Sequence, residues 1–146
     1  MSVRLGVVGC GSVFWTPYMS LIERLRGQGR VEVVAVFDSD PGKRRLAAER
    51  LGLSAELPSD TAVCEHPDVD VALVLTSMPE HGRLARAALE AGKHVLVEKP
   101  VATTLAEAEQ VLAAEPVDQA HVRRPEDAPA ADDAQPDAHV ALLAVS

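Results

Sequence analysis

Near its start the chain reads VRLGVVGCGS over residues 3–12, a short apolar run that ends in two glycines one residue apart. Continuous rather than alternating hydrophobicity is typical of a parallel strand covered on both faces. Gly9 allows a tight turn after this strand, and Gly11 lets the backbone approach a pyrophosphate because it has no Cβ. The helix that follows offers unpaired N–H groups to the anion, with Ser12 and Val13 as the candidates at its start.

The start of that helix has two interpretations. In one, Thr16 is the N-cap and Pro17 takes the first helical position. In the other, the helix begins near Ser12 and Pro17 lies in an early turn, where its missing N–H costs little. Phe14 stands where the glycine fingerprint has its third glycine, and we expect its bulk to hinder close packing of strand and helix. Helical spacing predicts a core face of Tyr18, Ile22 and Leu25.

Strands alternate with helices along the next hundred residues. Apolar and β-branched runs predict further strands over Val31–Phe37, 53–57, 69–75 and His94–Val97. Helices are predicted over 43–51, 79–91 and 104–114, with a brief helical turn over 59–65. The side chains expected to face inward include Leu46, Ala47, Leu84, Ala88, Leu105, Ala108, Val111 and Leu112. This alternation predicts an α/β fold, namely a Rossmann-like doubly wound parallel sheet with helices on both faces.

Composition limits the classes of partner. The 146 residues are 47% hydrophobic and carry a net charge of −8, which argues against nucleic acid or an anionic membrane surface as a partner. Neither a leader nor a membrane-spanning run is apparent. Cys10 and Cys64 fall in no metal-ligand or disulfide spacing. We therefore expect a cytoplasmic protein without a metal site.

The composition changes after Ala114. Residues 115–146 contain none of the nine glycines, four of the ten prolines, and seven acidic residues against two arginines. This composition predicts a nucleotide-binding domain over 1–114 and a largely disordered tail over 115–146. The apolar run 139–145 is a candidate for a docked strand.

Asp38 ends the second predicted strand, where a dinucleotide-binding fold places the acid that holds the adenosine ribose. Its carboxylate suits a vicinal diol and repels a 2′-phosphate. There are two alternatives. In one, Asp38 caps the next helix; in the other, the cations Lys43, Arg44 and Arg45 hold a 2′-phosphate. The balance favours NAD over NADP as the cofactor.

Glu98, Lys99 and Pro100 directly follow the last predicted strand, so Lys99 emerges at the carboxyl edge of the sheet. An ammonium group there can donate a proton to a substrate oxygen or polarise it, which makes Lys99 the candidate catalytic residue. Pro100 is a candidate cis residue that fixes the backbone beside the site. The alternative is a salt-bridged Glu98–Lys99 pair before a helix cap.

The string AGKHVLVEKP over residues 91–100, with Gly9, Gly11 and His81, resembles the Gfo/Idh/MocA family of NAD(P)-dependent oxidoreductases. The resemblance covers about residues 3–114. It implies that Lys99 lies near the nicotinamide and the substrate and that Glu98 helps to hold the nicotinamide ribose. It also implies a structural role for His81. The cofactor cleft is then lined by Thr76, Ser77, Pro79, Glu98, Lys99 and Pro100.

Members of that family continue into a second α/β domain that supplies most of the substrate pocket, whereas this chain continues into its Ala/Pro/Asp-rich tail. The resemblance thus implies the NAD(P)-binding domain of an oxidoreductase acting on a sugar or polyol hydroxyl, without its substrate domain. Whether the chain is an enzyme by itself is left open. The alternatives are an inactive nucleotide-binding module, a truncated product and, more distantly, a methyltransferase that uses S-adenosylmethionine. An uncovered apolar face predicts self-association.

Overall fold

Four parallel strands form the single sheet of the computed structural model, which describes residues 2–53 and 57–114. The strands are β1 Val3–Val8, β2 Val31–Phe37, β3 Val71–Val74 and β4 His94–Val97. Their order across the sheet is β2-β1-β3-β4, so the chain leaves β1 toward one side and returns to pair on the other side of it. Most of the strand predicted over 53–57 lies outside the described residues.

The helices cover both faces of this sheet. They are a π-helical turn Phe14–Tyr18, α1 Met19–Gly27, α2 Pro41–Leu51, α3 Asp60–Glu65, α4 Met78–Glu90 and α5 Leu105–Ala113. On one face, α1 and α2 bury Ile22 and Ala47 against the strands. On the other, α3 and α4 bury Val63 and Leu84. The predicted α/β fold, a Rossmann-like doubly wound parallel sheet, is therefore confirmed.

The helix after the glycine turn begins at Ser12, the second of the two predicted starts. It widens at once into the π-helical turn, in which the N–H of Met19 donates to the carbonyl of Phe14, five residues earlier. In a regular α-helix the ring of Pro17 would clash with the preceding turn. The Phe14 side chain is fully buried in the core beside α1, and the expectation that its bulk hinders close packing of strand and helix stays a prediction.

Three leucines predicted to face inward are exposed instead. Leu46 is 55% exposed because α2 turns its alanines, Ala47 and Ala48, toward the sheet. Leu105 and Leu112 are 76% and 67% exposed, since α5 packs on α4 through Val111 rather than on the sheet. The two exposed leucines on α5 are compatible with the predicted self-association, which stays a prediction.

Capping residues set where the helices begin. Asp40 accepts the N–H groups of Gly42 and Lys43, so α2 starts at Pro41, two residues earlier than predicted. Thr104 forms a capping box with Glu107 at the start of α5. The predicted disordered tail, including the candidate strand 139–145, lies outside the described residues, and the boundary after Ala114 stays a prediction. In the described ranges, no helix has the length and apolar character needed to cross a membrane.

Candidate nucleotide-binding site

The residues predicted to hold the cofactor meet at one edge of the sheet. Because the four strands are parallel, their carboxyl ends lie side by side. Gly9 follows β1, Asp38 follows β2, Thr76 closely follows β3 and Glu98 follows β4. The connection reverses direction between β1 and β3, and ligands of open α/β sheets bind at such a reversal.

Gly9 is required by the chain's own backbone. Its φ is +99°, and a Cβ there would lie 2.7 Å from the carbonyl carbon and oxygen of Leu75 and 2.8 Å from the nitrogen of Thr76. No side chain fits at that distance. The glycine thus allows the ends of β1 and β3 to touch, whether or not a ligand is bound.

Gly11 is different, because the surrounding protein does not require a glycine there. A Cβ at this position would meet no atom within 4 Å, and its φ lies outside the left-handed region. Gly11 directly precedes the start of the helix, where Ser12 and Val13 are exposed. A phosphate group would use such space together with the backbone N–H groups of the first helical turn. The site therefore fits an anionic ligand.

Asp38 fastens the glycine turn to the end of β2. Its Oδ2 accepts the N–H of Cys10 at 2.7 Å and its Oδ1 accepts the N–H of Asp40 at 2.8 Å. The cap of α2 is Asp40, so the interpretation of Asp38 as the helix cap is wrong. An ionised carboxylate offers about four acceptor positions. The Asp38 carboxylate can therefore still accept two ribose hydroxyls.

The cations predicted as an alternative phosphate site are spread along α2. The Arg44 guanidinium lies over the Phe37 ring, 5.3 Å from its centroid, and donates to the carbonyl oxygen of Asp38 at 3.0 Å. Lys43 and Arg45 are exposed. Arg44 thus contacts both Phe37 and Asp38 at the end of β2.

The two cysteines are buried, and neither is suited to act as a nucleophile. Burial, reinforced by the negative charge of Asp38, raises the pKa of the Cys10 thiol to about 12. Burial and the charge of Asp60 raise the pKa of Cys64 to about 11. The thiolate is the reactive form of cysteine, so both side chains act as small core residues.

Glu98 is held by two donors at the end of β4. The Tyr18 hydroxyl donates to Oε1 at 2.9 Å, and the backbone N–H of Lys99 donates to Oε2 at 3.1 Å. Burial and this contact with Glu98 raise the pKa of Tyr18, so its hydroxyl stays a donor. The sequence predicted Tyr18 only as a core residue, because nothing local signals a partner 80 residues away.

Lys99 is exposed at the same edge, and the peptide bond between it and Pro100 is cis, as predicted. In the described part of the chain, the Glu98 carboxylate is bonded to Tyr18 rather than to the ammonium group of Lys99. The interpretation of Glu98 and Lys99 as a salt-bridged pair is therefore wrong.

His81 joins the end of β3 to the segment after β4. The ring is 2% exposed, with Nδ1 2.8 Å from the carbonyl oxygen of Pro100 and Nε2 2.9 Å from that of Thr76. Ser77 and Pro79 are exposed at the start of α4. These contacts agree with the structural role that the resemblance implied for His81. Over residues 2–53 and 57–114, no three His, Cys, Asp or Glu side chains cluster closely enough to hold a metal ion.

Comparison with known proteins decides the family. A family model described as an oxidoreductase family with an NAD-binding Rossmann fold, GFO_IDH_MocA, matches residues 3–123. The chain belongs to the Gfo/Idh/MocA family. The resemblance noted in the sequence is confirmed, and the family description agrees with the predicted nicotinamide dinucleotide as cofactor. The roles of the individual site residues stay predictions.

Relatives of this Gfo/Idh/MocA chain are longer. Inositol 2-dehydrogenase of Acidothermus cellulolyticus is 36% identical over 123 residues, which are 84% of this chain and 34% of the relative. The solved structure of the 3-ketoreductase KijD10 from Actinomadura kijaniata, in complex with NADP and TDP-benzene, is 31% identical with a TM-score of 0.68, covering 78% of this chain and 34% of that one. WlbA dehydrogenase from Bordetella pertussis, in complex with NADH and UDP-GlcNAcA, is 26% identical with a TM-score of 0.67, covering 78% and 33%. The chain spans about a third of the length of these relatives.

Proposed function

We propose that this chain binds NAD across the carboxyl edge of its sheet and serves an oxidoreductase that acts on a sugar or polyol hydroxyl. The observation that carries the proposal is the open space at Gly11, which directly precedes the start of a helix and follows Cys10, whose N–H donates to the Asp38 carboxylate. A ligand with a phosphate next to a ribose has the chemistry that this arrangement recognises.

The order of the strands supports one direction for the cofactor. Asp38 holds the adenosine ribose at the end of β2, and the backbone at Gly11, Ser12 and Val13 binds the pyrophosphate. Neighbouring strands are about 4.8 Å apart, so the end of β4 lies about 14 Å from the end of β2. The nicotinamide half extends toward β4 and is lined by Thr76, Ser77, Pro79, Glu98, Lys99 and Pro100. When bound, NAD supplies the hydride-accepting nicotinamide ring.

Lys99 takes the acid–base role in this proposal. Its side chain is exposed at the end of β4, beside the position proposed for the nicotinamide. A lysine there would donate a proton from its ammonium form to a substrate carbonyl oxygen in the reductive direction, and as the neutral amine would accept the hydroxyl proton in the oxidative direction. The sugar or polyol substrate is suggested by the relatives, which include inositol 2-dehydrogenases and a dTDP-sugar 3-reductase of Saccharopolyspora spinosa.

A second candidate is a nucleotide-binding module that does not turn over substrate by itself. The observation in its favour is that the chain spans about a third of its relatives' length, while hydride transfer requires a substrate held over the nicotinamide. Incubation of the full chain with NAD and myo-inositol, followed by NADH absorbance, separates the two. NADH binding without turnover supports the module, and turnover excludes it.

Cofactor choice tests the assignment of Asp38. The chain has one tryptophan, Trp15, four residues from Gly11, so energy transfer from Trp15 reports bound NADH or NADPH. Asp38→Asn keeps an acceptor for the Cys10 N–H but removes the charge. We expect NADH affinity to fall about tenfold and NADPH affinity to fall less. Asp40→Ala, which removes the cap of α2, is the control that should leave the NADH/NADPH ratio unchanged. Equal losses of both cofactors in Asp38→Asn would contradict the ribose role.

A further inference from the structure

One hydrogen bond joins the helix after the glycine turn to the far side of the site. The Tyr18 hydroxyl donates to Glu98 Oε1 at 2.9 Å, across 80 residues of sequence. The Tyr18 side chain is 6% exposed and belongs to the same core cluster as Phe14 and Ile22. The ring thus fills the core, while the hydroxyl reaches the carboxyl edge of the sheet.

The hydroxyl does not serve the packing of the ring. A phenylalanine would fill the same part of the core, whereas only tyrosine supplies a donor to Glu98. The position depends on the π-helical turn, which ends at Tyr18 and sets its direction relative to the glycines. Such single wide turns inside helices are frequent at functional sites.

Glu98 is left with a defined orientation and spare acceptor capacity. Tyr18 bonds one carboxylate oxygen and the backbone N–H of Lys99 bonds the other, so the group cannot rotate without losing a bond. An ionised carboxylate has about four acceptor positions, and two of them are left for ligand hydroxyls. Two adjacent hydroxyls of a ribose match that pair.

We propose that Tyr18 is a positioning residue that holds Glu98 for the ribose on the nicotinamide side of the cofactor. This inference rests on the proposed function, because it requires the dinucleotide to extend from Asp38 toward β4. Tyr18 then links the two halves of the site, since the helix that starts at the phosphate-binding turn also orients the carboxylate for the second ribose.

The test compares three ligands of increasing length on the full chain by calorimetry. ADP carries the adenosine ribose and the phosphates, ADP-ribose adds the second ribose, and NADH adds the nicotinamide. In Tyr18→Phe we expect unchanged affinity for ADP and about five- to tenfold weaker binding of ADP-ribose and NADH. Glu98→Ala should show the same selectivity, and adding Tyr18→Phe to it should cause no further loss.

Asp38→Asn provides the opposite pattern, because it should weaken all three ligands. Equal weakening of ADP, ADP-ribose and NADH in Tyr18→Phe would indicate a general effect on the fold and would overturn the proposal. Unchanged binding of all three would overturn it as well. If the wild-type chain bound none of the three ligands, the proposed function itself would fail, and this inference with it.

Discussion

Replacing each of the two glycines of the turn by alanine, in separate variants, distinguishes what the fold requires from what the ligand requires. In Gly11→Ala the new Cβ meets no protein atom within 4 Å, and the backbone stays in a region open to alanine. We expect the free energy of unfolding to change by no more than about 0.5 kcal/mol. The methyl group would, however, occupy the space proposed for the pyrophosphate. NADH affinity should fall at least about tenfold, or about 1.4 kcal/mol.

Gly9→Ala is the matched variant, two residues away. Alanine at a φ of +99° is strained, which costs about 1–3 kcal/mol. Its Cβ would also lie 2.7 Å from the carbonyl carbon of Leu75, so the ends of β1 and β3 must separate. We therefore expect a loss of at least about 3 kcal/mol, a large part of the roughly 5–15 kcal/mol typical of a domain.

Both quantities can be measured with one reporter. Trp15 is partly buried, with its ring 5.0 Å from that of Phe14 in an edge-on arrangement, so its emission should follow unfolding in urea. The same fluorophore reports NADH by energy transfer. Wild-type affinity for NADH in Gly11→Ala would refute the proposal that the space at Gly11 receives the pyrophosphate. A loss of stability in Gly11→Ala equal to that in Gly9→Ala would refute the distinction between the two glycines.

Three further predictions concern stability and reactivity. His81→Ala removes the ring that contacts the carbonyls of Thr76 and Pro100 and should cost about 2–4 kcal/mol in urea unfolding; an unchanged midpoint would contradict this role. Hydrogen bonds from Arg4 lower the pKa of Asp70, so the Arg4–Asp70 pair adds to the free energy of unfolding above about pH 4. This stabilisation is lost as the pH falls through the folded-state pKa of Asp70. Asp70→Asn should therefore cost about 0.5–1 kcal/mol at pH 7, and its stability should converge with wild type in acid. Both cysteines are buried, so Ellman's reagent should label them only as the chain unfolds; fast labelling of the native chain would contradict their burial.

Most of the fold could be predicted from local patterns. A buried parallel strand must be apolar on both faces, so β1, β2 and β4 appear in the sequence as continuous runs with bounds close to those observed. Asp38 and Lys99 could be identified as site candidates because the carboxyl ends of parallel strands share one edge, whereas the role of Glu98 came from the family resemblance. The exposure of Leu46, Leu105 and Leu112 could not be predicted, because helical spacing defines which residues share a helix face but not which neighbouring element covers that face.

The sequence by itself determined that strands and helices alternate into a parallel sheet, with a glycine turn after the first strand, because hydrophobic period and turn chemistry are local properties. Only the tertiary structure showed that the two glycines differ, since a Cβ at Gly9 would collide with the backbone of Leu75 and Thr76 just after β3, whereas a Cβ at Gly11 would meet open space. It also decided that Tyr18 meets Glu98 and that His81 joins two loops. Such contacts depend on how helices pack across the sheet, and the sequence around each of these residues does not indicate that packing.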